Sequence, residues 1–356
     1  MRSGKARNKL LVLFTVVILG LLLVEVGIRI RQYVKYGTTE TTYYRFAEDP
    51  GSGLTIPEPG SSVGPIEVNS LGFRGPEIKD PKPDGRIRIA FLGGSTTFCA
   101  EASSFAATWP QQVIQELHRR FPEASFDGIN AGVGGYSTRE SLINLQHRVA
   151  RFDPDVLIIY HGTNDLTQDS RTIAEEQGIF EQRESETSPI GEYWMTWFLV
   201  EKNLRARFTK RDSARVDLEP AELASTFEER LRTLIDACGE VAPVTAIGTF
   251  CHRARREQTP AERNAACASS FYYMPYMTAE LLLDCLEAYN EVVRRVAEEK
   301  GAIRFELATL VPADDEHFND SVHMKDPGLA IVGQCVVQAL VKSPEFLALL
   351  EGEESP

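Results

Sequence analysis

The chain has 356 residues, of which 43% are hydrophobic and 25% charged, and this composition indicates one large or two ordinary globular domains with a substantial core. Its formal net charge of −13 is unevenly distributed, because residues 1–35 carry +6 and the remaining residues carry −19. So acidic a body argues against a nucleic-acid partner, which would require a basic surface to bind phosphates.

The first predicted element is a membrane-spanning helix within residues 1–35. Leu10–Val24 contains no charged or strongly polar side chain, and beyond Glu25 the apolar stretch continues to Ile28. This length just suffices to cross a bilayer, and the basic residues before it predict a cytoplasmic N-terminus. A cleaved signal peptide would begin in the same way, but no small-residue cleavage site follows. We therefore predict a single-pass signal-anchor in the inner membrane, with the rest of the chain on the periplasmic side.

An extended linker is predicted over residues 36–85, between the anchor and the body. Its segments PGSGLTIPEPG and PEIKDPKPDG are rich in Pro and Gly and show neither a helical nor a strand period, which is typical of a tether. The apolar segment VNSLGFRG, residues 68–75, lies between them. We expect this segment to dock on the body.

Strand and helix patterns alternate over residues 86–345. Short apolar runs that end at a glycine or a polar turn predict strands at RIRIAFLGG, FDGINAGVGG, DVLIIYHGTND, APVTAIGTF and AIRFELA. Apolar residues at helical spacing predict helices between them, and one long helix should end at Gly301. This alternation predicts an α/β fold in which helices cover both faces of a parallel sheet. The more polar residues 166–240 are interpreted as a helical insertion, and residues 346–356 as a C-terminal tail.

All six cysteines lie in the predicted exported body, where disulfides can form. Cys251 and Cys267 bracket a polar, basic loop, and we predict that they are linked. Buried free thiols are the alternative interpretation. The spacing of the cysteines matches no zinc site.

Polar turns follow three of the predicted strands, at the sheet edge where open α/β proteins bind ligands. They are GGSTT (93–97), NAGVGGYST (130–138) and HGTND (161–165), and a fourth polar cluster, NDSVHMKDPG (319–328), precedes the last helix. The first turn does not have the pattern of a phosphate-binding loop, because no lysine follows its glycines and neither phosphate-loop spacing is present. A serine turn with a distant Asp and His instead supplies the groups of an acyl-transfer site.

In this order the four segments resemble the four conserved blocks of the SGNH (GDSL-type) hydrolases, over roughly residues 86–345. The resemblance implies a flavodoxin-like three-layer α/β/α sandwich with a five-stranded parallel sheet. It implies Ser95 as the nucleophile, with Asp320 and His323 as its catalytic partners, and it implies no metal or other cofactor. Gly94 departs from the family pattern, in which an acidic residue often precedes the serine. A glycine at this position is similar to the pattern of a membrane-anchored bacterial branch of the family, which also carries an NSLGFRG-type segment.

These assignments agree with the chemistry that acyl transfer requires. A serine hydroxyl is a poor nucleophile near neutral pH, so His323 would accept the Ser95 proton and return it to the leaving group. Asp320, three residues earlier, would hold the imidazole tautomer. By the same resemblance, the oxyanion hole would comprise the backbone amides of Ser95 and Gly135 and the side-chain amide of Asn164.

Each candidate also has a purely structural interpretation. Ser95 could be a helix N-cap, and Asn164 could close a turn, as we prefer for Asp165. For His161 we expect packing or hydrogen bonding rather than catalysis. The aromatic run FYYMPYM, residues 271–277, lines the substrate groove in one interpretation and packs within the insertion in the other.

The sequence therefore predicts a membrane-anchored serine esterase that hydrolyses ester-linked acyl groups, on a small molecule or a glycan, with carbohydrate O-acyl groups as a substrate inferred by analogy. One alternative is an O-acyltransferase that modifies a cell-envelope polysaccharide with the same triad, and another is a non-catalytic glycan-binding module. Retention of the complete Ser, Gly, Asn, Asp and His set argues against the binding module. Hydrolase and transferase stay open at this point, because they differ only in the access of an acceptor.

Overall fold

The computed structural model describes residues 2–36, 39, 45–180, 194–197, 199–201 and 215–352. The chain divides into two compact units. Unit 1 comprises Met1–Tyr43 and Arg183–Lys210, and unit 2 comprises Tyr44–Gln182 and Arg211–Pro356.

Unit 1 is built on the long helix α1 (Arg2–Tyr36). Its stretch Val12–Val34 has a mean hydropathy of 2.4, and it is long and apolar enough to cross a membrane or to act as a signal anchor. Glu25, the charge that interrupts this stretch, pairs with Arg29 at 2.6 Å. It also accepts hydrogen bonds from the backbone amides of Met195 and Thr196, at 3.0 and 2.8 Å. Part of the 183–210 segment therefore supplies the partners of this carboxylate.

Unit 2 begins with two short antiparallel hairpins where the sequence predicts an extended linker. Strand β1 (Phe46–Glu48) pairs with β2 (Thr55–Pro57), and β3 (Ser62–Val63) pairs with β4 (Ile66–Glu67). The prediction of a tether is wrong for residues 45–85, because the apolar residues of this segment, although they follow no period, bury their side chains on the body. The docking predicted for VNSLGFRG is confirmed, since Phe73 belongs to the main core.

The centre of unit 2 is a five-stranded parallel sheet of β5 (Arg86–Gly93), β6 (Ser125–Asn130), β7 (Val156–Tyr160), β8 (Val244–Gly248) and β9 (Ile303–Phe305). The strand order is β6-β5-β7-β8-β9, with the chain reversing direction across the sheet between β6 and β7. All five residues of β7 are buried, as expected of a central strand covered on both faces. The predicted sandwich with a five-stranded parallel sheet is confirmed.

Helices of unit 2 cover this sheet. They are α2 (Ser95–Phe98), α3 (Trp109–Arg120), α4 (Thr138–Asn144), α5 (Thr163–Glu176), α6 (Pro220–Val241), α7 (Pro260–Ala266), α8 (Ser270–Tyr273), α9 (Ala279–Lys300), α10 (Asp326–Leu340) and α11 (Pro344–Glu351). Helix α3 packs against α10, and α6 packs against α9. As predicted, α9 ends at Gly301, whose φ of +66° suits a residue without a Cβ.

Two predicted boundaries differ from the structure. Helices α5 and α6 occupy both ends of the predicted insertion at residues 166–240 and bury apolar faces against the body, whereas residues 181–193, 198 and 202–214 of this range lie outside the described residues. Residues 346–356 are not simply a tail, because α11 continues to Glu351 and Phe346 is fully buried.

The predicted disulfide between Cys251 and Cys267 is absent, and all six cysteines are free thiols. Both side chains are buried within the main apolar core. Burial raises the pKa of Cys267 to about 12 and also raises the pKa of Cys251, which keeps both in the unreactive thiol form. These cysteines pack as small apolar residues, the alternative that the sequence left open.

Candidate active site

The turn after β5 presents a serine at the start of a helix. Gly94 is the N-cap residue of α2, and Ser95 is the first helical residue. The helix is only one turn long and ends at Cys99, which has the left-handed φ of +59°. Because α2 starts directly at the carboxyl end of β5, the backbone holds the Ser95 hydroxyl at the edge of the sheet.

The candidate catalytic side chains form one hydrogen-bonded chain. The Nε2 atom of His323 lies 2.8 Å from Ser95 Oγ, across 228 positions of sequence. The Nδ1 atom of the same ring lies 2.8 Å from Asp320 Oδ2. The other carboxylate oxygen, Oδ1, accepts the backbone amides of Val322 and His323 at 2.9 and 2.8 Å. These bonds leave Asp320 little freedom to rotate away from the ring.

Electrostatics favour an ion pair between Asp320 and His323. Burial by itself acts to raise the pKa of Asp320, but the hydrogen bonds and the charge of His323 lower it below its ordinary value. Burial acts to lower the pKa of His323, but the charge of Glu101 and the hydrogen bond and charge of Asp320 raise it to about 9. An imidazolium that forms at this position is therefore strongly stabilised.

The three groups assigned to the oxyanion hole from the sequence each keep an N–H group that a ligand could use. The Ser95 amide is the first of α2 and has no acceptor within the helix. Gly135 has a φ of +88°, a conformation that L side chains rarely adopt, and its backbone is exposed. The Asn164 side-chain amide donates to the Tyr136 carbonyl at 2.8 Å, which orients it beside the same loop. Because an amide has two N–H groups, the second is available for a ligand.

The departure at position 94 has a steric explanation. A Cβ atom on Gly94 would lie 2.6 Å from Asn164 Nδ2 and 3.1 Å from the Tyr136 carbonyl oxygen. Real Cβ atoms do not approach other heavy atoms to 2.6 Å, so glycine allows the amide to sit this close to the serine turn.

Asp165 does more than close a turn, which was the preferred interpretation from the sequence. Its buried carboxylate accepts the Thr138 amide and hydroxyl, with the hydroxyl oxygen at 2.6 Å, and Arg230 lies 3.5 Å away. It therefore joins the loop that carries Gly135 to the helix that carries Asn164. His161 makes the predicted structural contact, a 2.7 Å hydrogen bond to Ser141, and burial lowers its pKa to about 4.

Three further groups around the site had no sequence signal. Buried Arg74 donates to the Phe98 carbonyl at 2.6 Å and also to the Cys99 carbonyl, which satisfies the end of the serine-bearing helix. Ser103 donates from its amide to Asp326, three residues after His323, at 3.0 Å. Glu101 acts electrostatically on His323, and burial raises the pKa of Glu101.

The aromatic run, residues 271–277, is partly buried and partly exposed. Met274, Tyr276 and Met277 are buried in the main core. Tyr272 and Tyr273 are instead exposed on α8.

Taken together, a hydroxyl bonded to an imidazole, a carboxylate behind that imidazole and N–H donors in the adjoining turns can transfer an acyl group through a serine ester. The nucleophile turn, the Gly135 loop and Asn164 follow β5, β6 and β7, three strands that neighbour one another in the sheet. The residues that the four sequence blocks suggested therefore meet at one edge.

A family match agrees with this chemistry. The sequence model of the GDSL-like Lipase/Acylhydrolase family matches residues 91–331. No curated protein sequence matches the chain. Among solved structures, the chain is similar to the acetylxylan esterase Axe2 from Geobacillus stearothermophilus, with 18% sequence identity and a TM-score of 0.44. The match covers 71% of this chain and 93% of that chain. It is also similar to LAE5, an alpha/beta hydrolase enzyme from the metagenome of Lake Arreo in Spain, with 16% identity, coverage of 76% and 97%, and a TM-score of 0.42.

The family match includes all of the residues in the hydrogen-bonded chain described above and extends over more than half of the sequence. This protein therefore belongs to the GDSL-like lipase/acylhydrolase family and is a serine hydrolase that acts on ester bonds.

Proposed function

We propose that the protein is a membrane-anchored esterase that removes O-acyl groups from carbohydrates, with Ser95, His323 and Asp320 as its catalytic triad. The observation that carries the proposal is the continuous hydrogen-bonded chain from Ser95 Oγ through both ring nitrogens of His323 to Asp320. Such a chain is what a serine hydroxyl needs in order to act as a nucleophile near neutral pH.

In the first half of the reaction, Ser95 Oγ attacks the acyl carbonyl carbon while His323 Nε2 takes the hydroxyl proton. The carbonyl oxygen becomes an oxyanion, which the amides of Ser95 and Gly135 and the side chain of Asn164 stabilise. Collapse of this intermediate breaks the ester C–O bond, and His323 delivers its proton to the departing alcohol oxygen. Ser95 then carries the acyl group as an ester.

In the second half, a water molecule replaces the alcohol. His323 takes a proton from the water, the resulting hydroxide attacks the acyl carbon, and the Ser95 oxygen leaves with the proton from His323. The products are the free carboxylic acid and the unchanged enzyme. Throughout both halves, Asp320 holds the ring in one tautomer and stabilises its protonated form.

The proposed substrate class follows from the proposed location. The apolar stretch Val12–Val34, preceded by basic residues, supports a single-pass anchor with unit 2 on the periplasmic side. There the enzyme would meet the glycans of the cell envelope, many of whose hydroxyls can carry acyl esters. A phosphatase reporter fused after Gly37 should be active only if the chain crosses the membrane, and activity of a cytoplasmic reporter at this position instead would contradict the orientation.

The catalytic assignment is tested with the full chain in detergent, on p-nitrophenyl acetate and on an acetylated oligosaccharide. Ser95→Ala, His323→Ala and Asp320→Ala should each remove most activity. Ser95→Ala combined with His323→Ala should cost little more than the worse single change, because the two groups act as one unit. Ser225→Ala, at an exposed serine of α6, is the matched control and should behave like the unchanged protein.

Covalent labelling separates the nucleophile from the other roles. A fluorophosphonate should label the unchanged protein and the Ser225→Ala control, and it should not label Ser95→Ala. Undiminished ester hydrolysis by Ser95→Ala would refute the assignment. Adding sugar acceptors to the same assay measures acyl transfer, and transfer that exceeds hydrolysis would replace the esterase by an O-acyltransferase.

A further inference from the structure

Two tyrosines on the short helix α8 are exposed although the residues after them are buried. Tyr272 is 44% exposed and Tyr273 is 55% exposed. In the described part of unit 2, Phe46 is the one other aromatic side chain of comparable exposure. The two tyrosine rings meet edge to face, with centroids 5.1 Å apart and an interplanar angle of 86°. The pair therefore presents aromatic surface to the solvent in a defined arrangement.

The start of α8 is joined directly to the loop that carries the proposed catalytic acid and base. Ser321, which lies between Asp320 and His323, accepts the backbone amides of Ser269 and Ser270 at 3.1 and 3.3 Å. In return the Ser321 amide donates to Ser269 Oγ at 3.0 Å. These reciprocal bonds fix the position of α8 relative to His323.

A buried histidine adds a second attachment beneath the helix. The Ala254 amide donates to His252 Nδ1 at 2.9 Å, so the ring hydrogen is on Nε2, which bonds Ser270 Oγ at 3.0 Å. Burial lowers the pKa of His252 to about 3, and the ring therefore stays neutral and keeps this tautomer. A platform held from both sides loses little conformational entropy when it binds a ligand.

Tyr273 also lies within electrostatic reach of Asp320. Part of its side chain is exposed, but burial of the remainder, followed by the charges of Tyr272 and Asp320, raises the pKa of its hydroxyl. Tyr273 therefore belongs to the surroundings of Asp320 rather than to a remote surface.

Reaction geometry determines which part of a substrate would face these rings. In the proposed mechanism the carbonyl oxygen points to the donors at Gly135 and Asn164, while His323 must reach the leaving oxygen in order to protonate it. The alcohol part of the ester therefore lies on the His323 side of Ser95. Helix α8, joined to the Asp320–His323 loop, belongs to that same side.

We propose that Tyr272 and Tyr273 form a binding platform for a sugar ring of the alcohol part of the substrate. This inference rests on the proposed function and extends it by assigning residues that select a carbohydrate leaving group. A sugar ring has an apolar C–H face and a rim of hydroxyls, and tyrosine offers a matching apolar face with a hydroxyl at its edge. An acyl chain would instead favour an enclosed apolar pocket, whereas these rings are open to water.

The test compares two acetate esters that share the acyl group and differ in the alcohol, namely an acetylated oligosaccharide and p-nitrophenyl acetate. The assay uses the full chain in detergent. Tyr272→Ala and Tyr273→Ala should each lower kcat/KM for the oligosaccharide about 10-fold, and the double variant should lower it about 100-fold. The loss should come mainly from a higher KM. Their losses on p-nitrophenyl acetate should be several-fold smaller. Tyr272→Phe and Tyr273→Phe keep the rings and should retain most of the oligosaccharide activity. Leu347→Ala, at an exposed apolar residue of α11, is the control and should leave the ratio of the two activities unchanged.

Equal losses on both esters would overturn the platform, because the change would then act on the chemistry or on folding rather than on the sugar. A loss that is largest on long-chain p-nitrophenyl esters would also overturn it and would assign the rings to the acyl group. Failure of the proposed function has a different signature. In that case the unchanged protein reacts with the fluorophosphonate and hydrolyses p-nitrophenyl acetate but not the oligosaccharide, which refutes the carbohydrate substrate and the platform together.

Discussion

Replacing Gly94 by alanine should remove an oxyanion donor without touching the nucleophile. The added Cβ would lie 2.6 Å from Asn164 Nδ2, whereas ordinary contact begins at 3.4 Å, so the amide has to move by about 0.8 Å. Donors in an oxyanion hole act at roughly 2.7–3.1 Å, and a displacement of this size takes the contact beyond hydrogen-bonding distance. We expect kcat to fall about 100- to 1000-fold, or roughly 2.7–4 kcal/mol of transition-state stabilisation.

The assay is turnover of p-nitrophenyl acetate, normalised by fluorophosphonate titration so that only protein with a reactive serine is counted. Asn164→Ala should show a loss similar to that of Gly94→Ala. In the double variant the amide is already gone, and the new methyl group meets only the Tyr136 carbonyl oxygen at 3.1 Å, which a shift of a few tenths of an ångström relieves, so the combined loss should stay near the larger single loss. The control is Gly239→Ala in α6, where an added Cβ meets no atom within 4 Å, and it should keep full activity.

Two results would refute this reasoning. Turnover by Gly94→Ala within about 3-fold of the unchanged protein would mean that the amide takes no part in the oxyanion hole. Losses that multiply in the double variant would mean that the methyl group acts on something other than Asn164.

The pH profile of kcat/KM should follow the ionisation of His323, because only the neutral ring can accept the nucleophile's proton. Burial acts to lower the pKa of His323, but Glu101 and Asp320 raise it to about 9. We therefore expect kcat/KM to climb from pH 7 to 9, and a flat profile would contradict this. Glu101→Gln removes one negative charge that favours the protonated His323 ring, so the rise of kcat/KM should occur at lower pH. A shift of this rise to higher pH would contradict the electrostatic role of Glu101. Asp320→Asn should lower kcat about 10,000-fold by allowing the wrong tautomer, and a loss below 10-fold in p-nitrophenyl acetate turnover would exclude this role. Burial lowers the pKa of His161 to about 4 and that of His252 to about 3, so below pH 6.5 these side chains bind protons in the unfolded chain but not in the folded one, and each should lower the free energy of unfolding by about 2 kcal/mol between pH 8 and pH 5. The raised pKa of His323 acts in the opposite direction, so urea unfolding should compare His252→Gln with the unchanged protein, and the same pH dependence in both would contradict this.

The sheet and the candidate site were predictable for the same reason. Apolar runs that stop at polar turns mark the carboxyl ends of parallel strands, and these ends must meet at one edge. Ser95 and Asn164 follow β5 and β7, which are neighbours in the sheet, so their proximity follows from the topology. Asp320 and His323 follow no strand end directly, and they became candidates through the family resemblance and their three-residue spacing.

Contacts that join distant segments were not predictable. The segment VNSLGFRG was expected to dock, but its sequence does not show that the Arg74 guanidinium would bind the carbonyls of Phe98 and Cys99. The attachment of α8 depends on Ser269 meeting Ser321 across 52 positions, and neither serine has a local signature. Likewise, a pair of cysteines around a loop looks the same in sequence whether the thiols bond to each other or pack separately in the core.

The contact of Arg74 with the serine-bearing helix also determines where the folding unit of the hydrolase begins. A chain shortened to start at β5 would keep every proposed catalytic residue, and by sequence motifs alone it would look complete. It would lack the guanidinium that satisfies the carbonyls of Phe98 and Cys99, and it would expose Phe98, on which Ile66 and Val68 pack. Exposing a buried Phe side chain costs about 1.5–3 kcal/mol, a large share of the stability of a typical domain. The smallest autonomous form of this enzyme therefore starts upstream of the hairpins, near residue 45, and the Pro- and Gly-rich segment is as much a part of the catalytic body as the sheet.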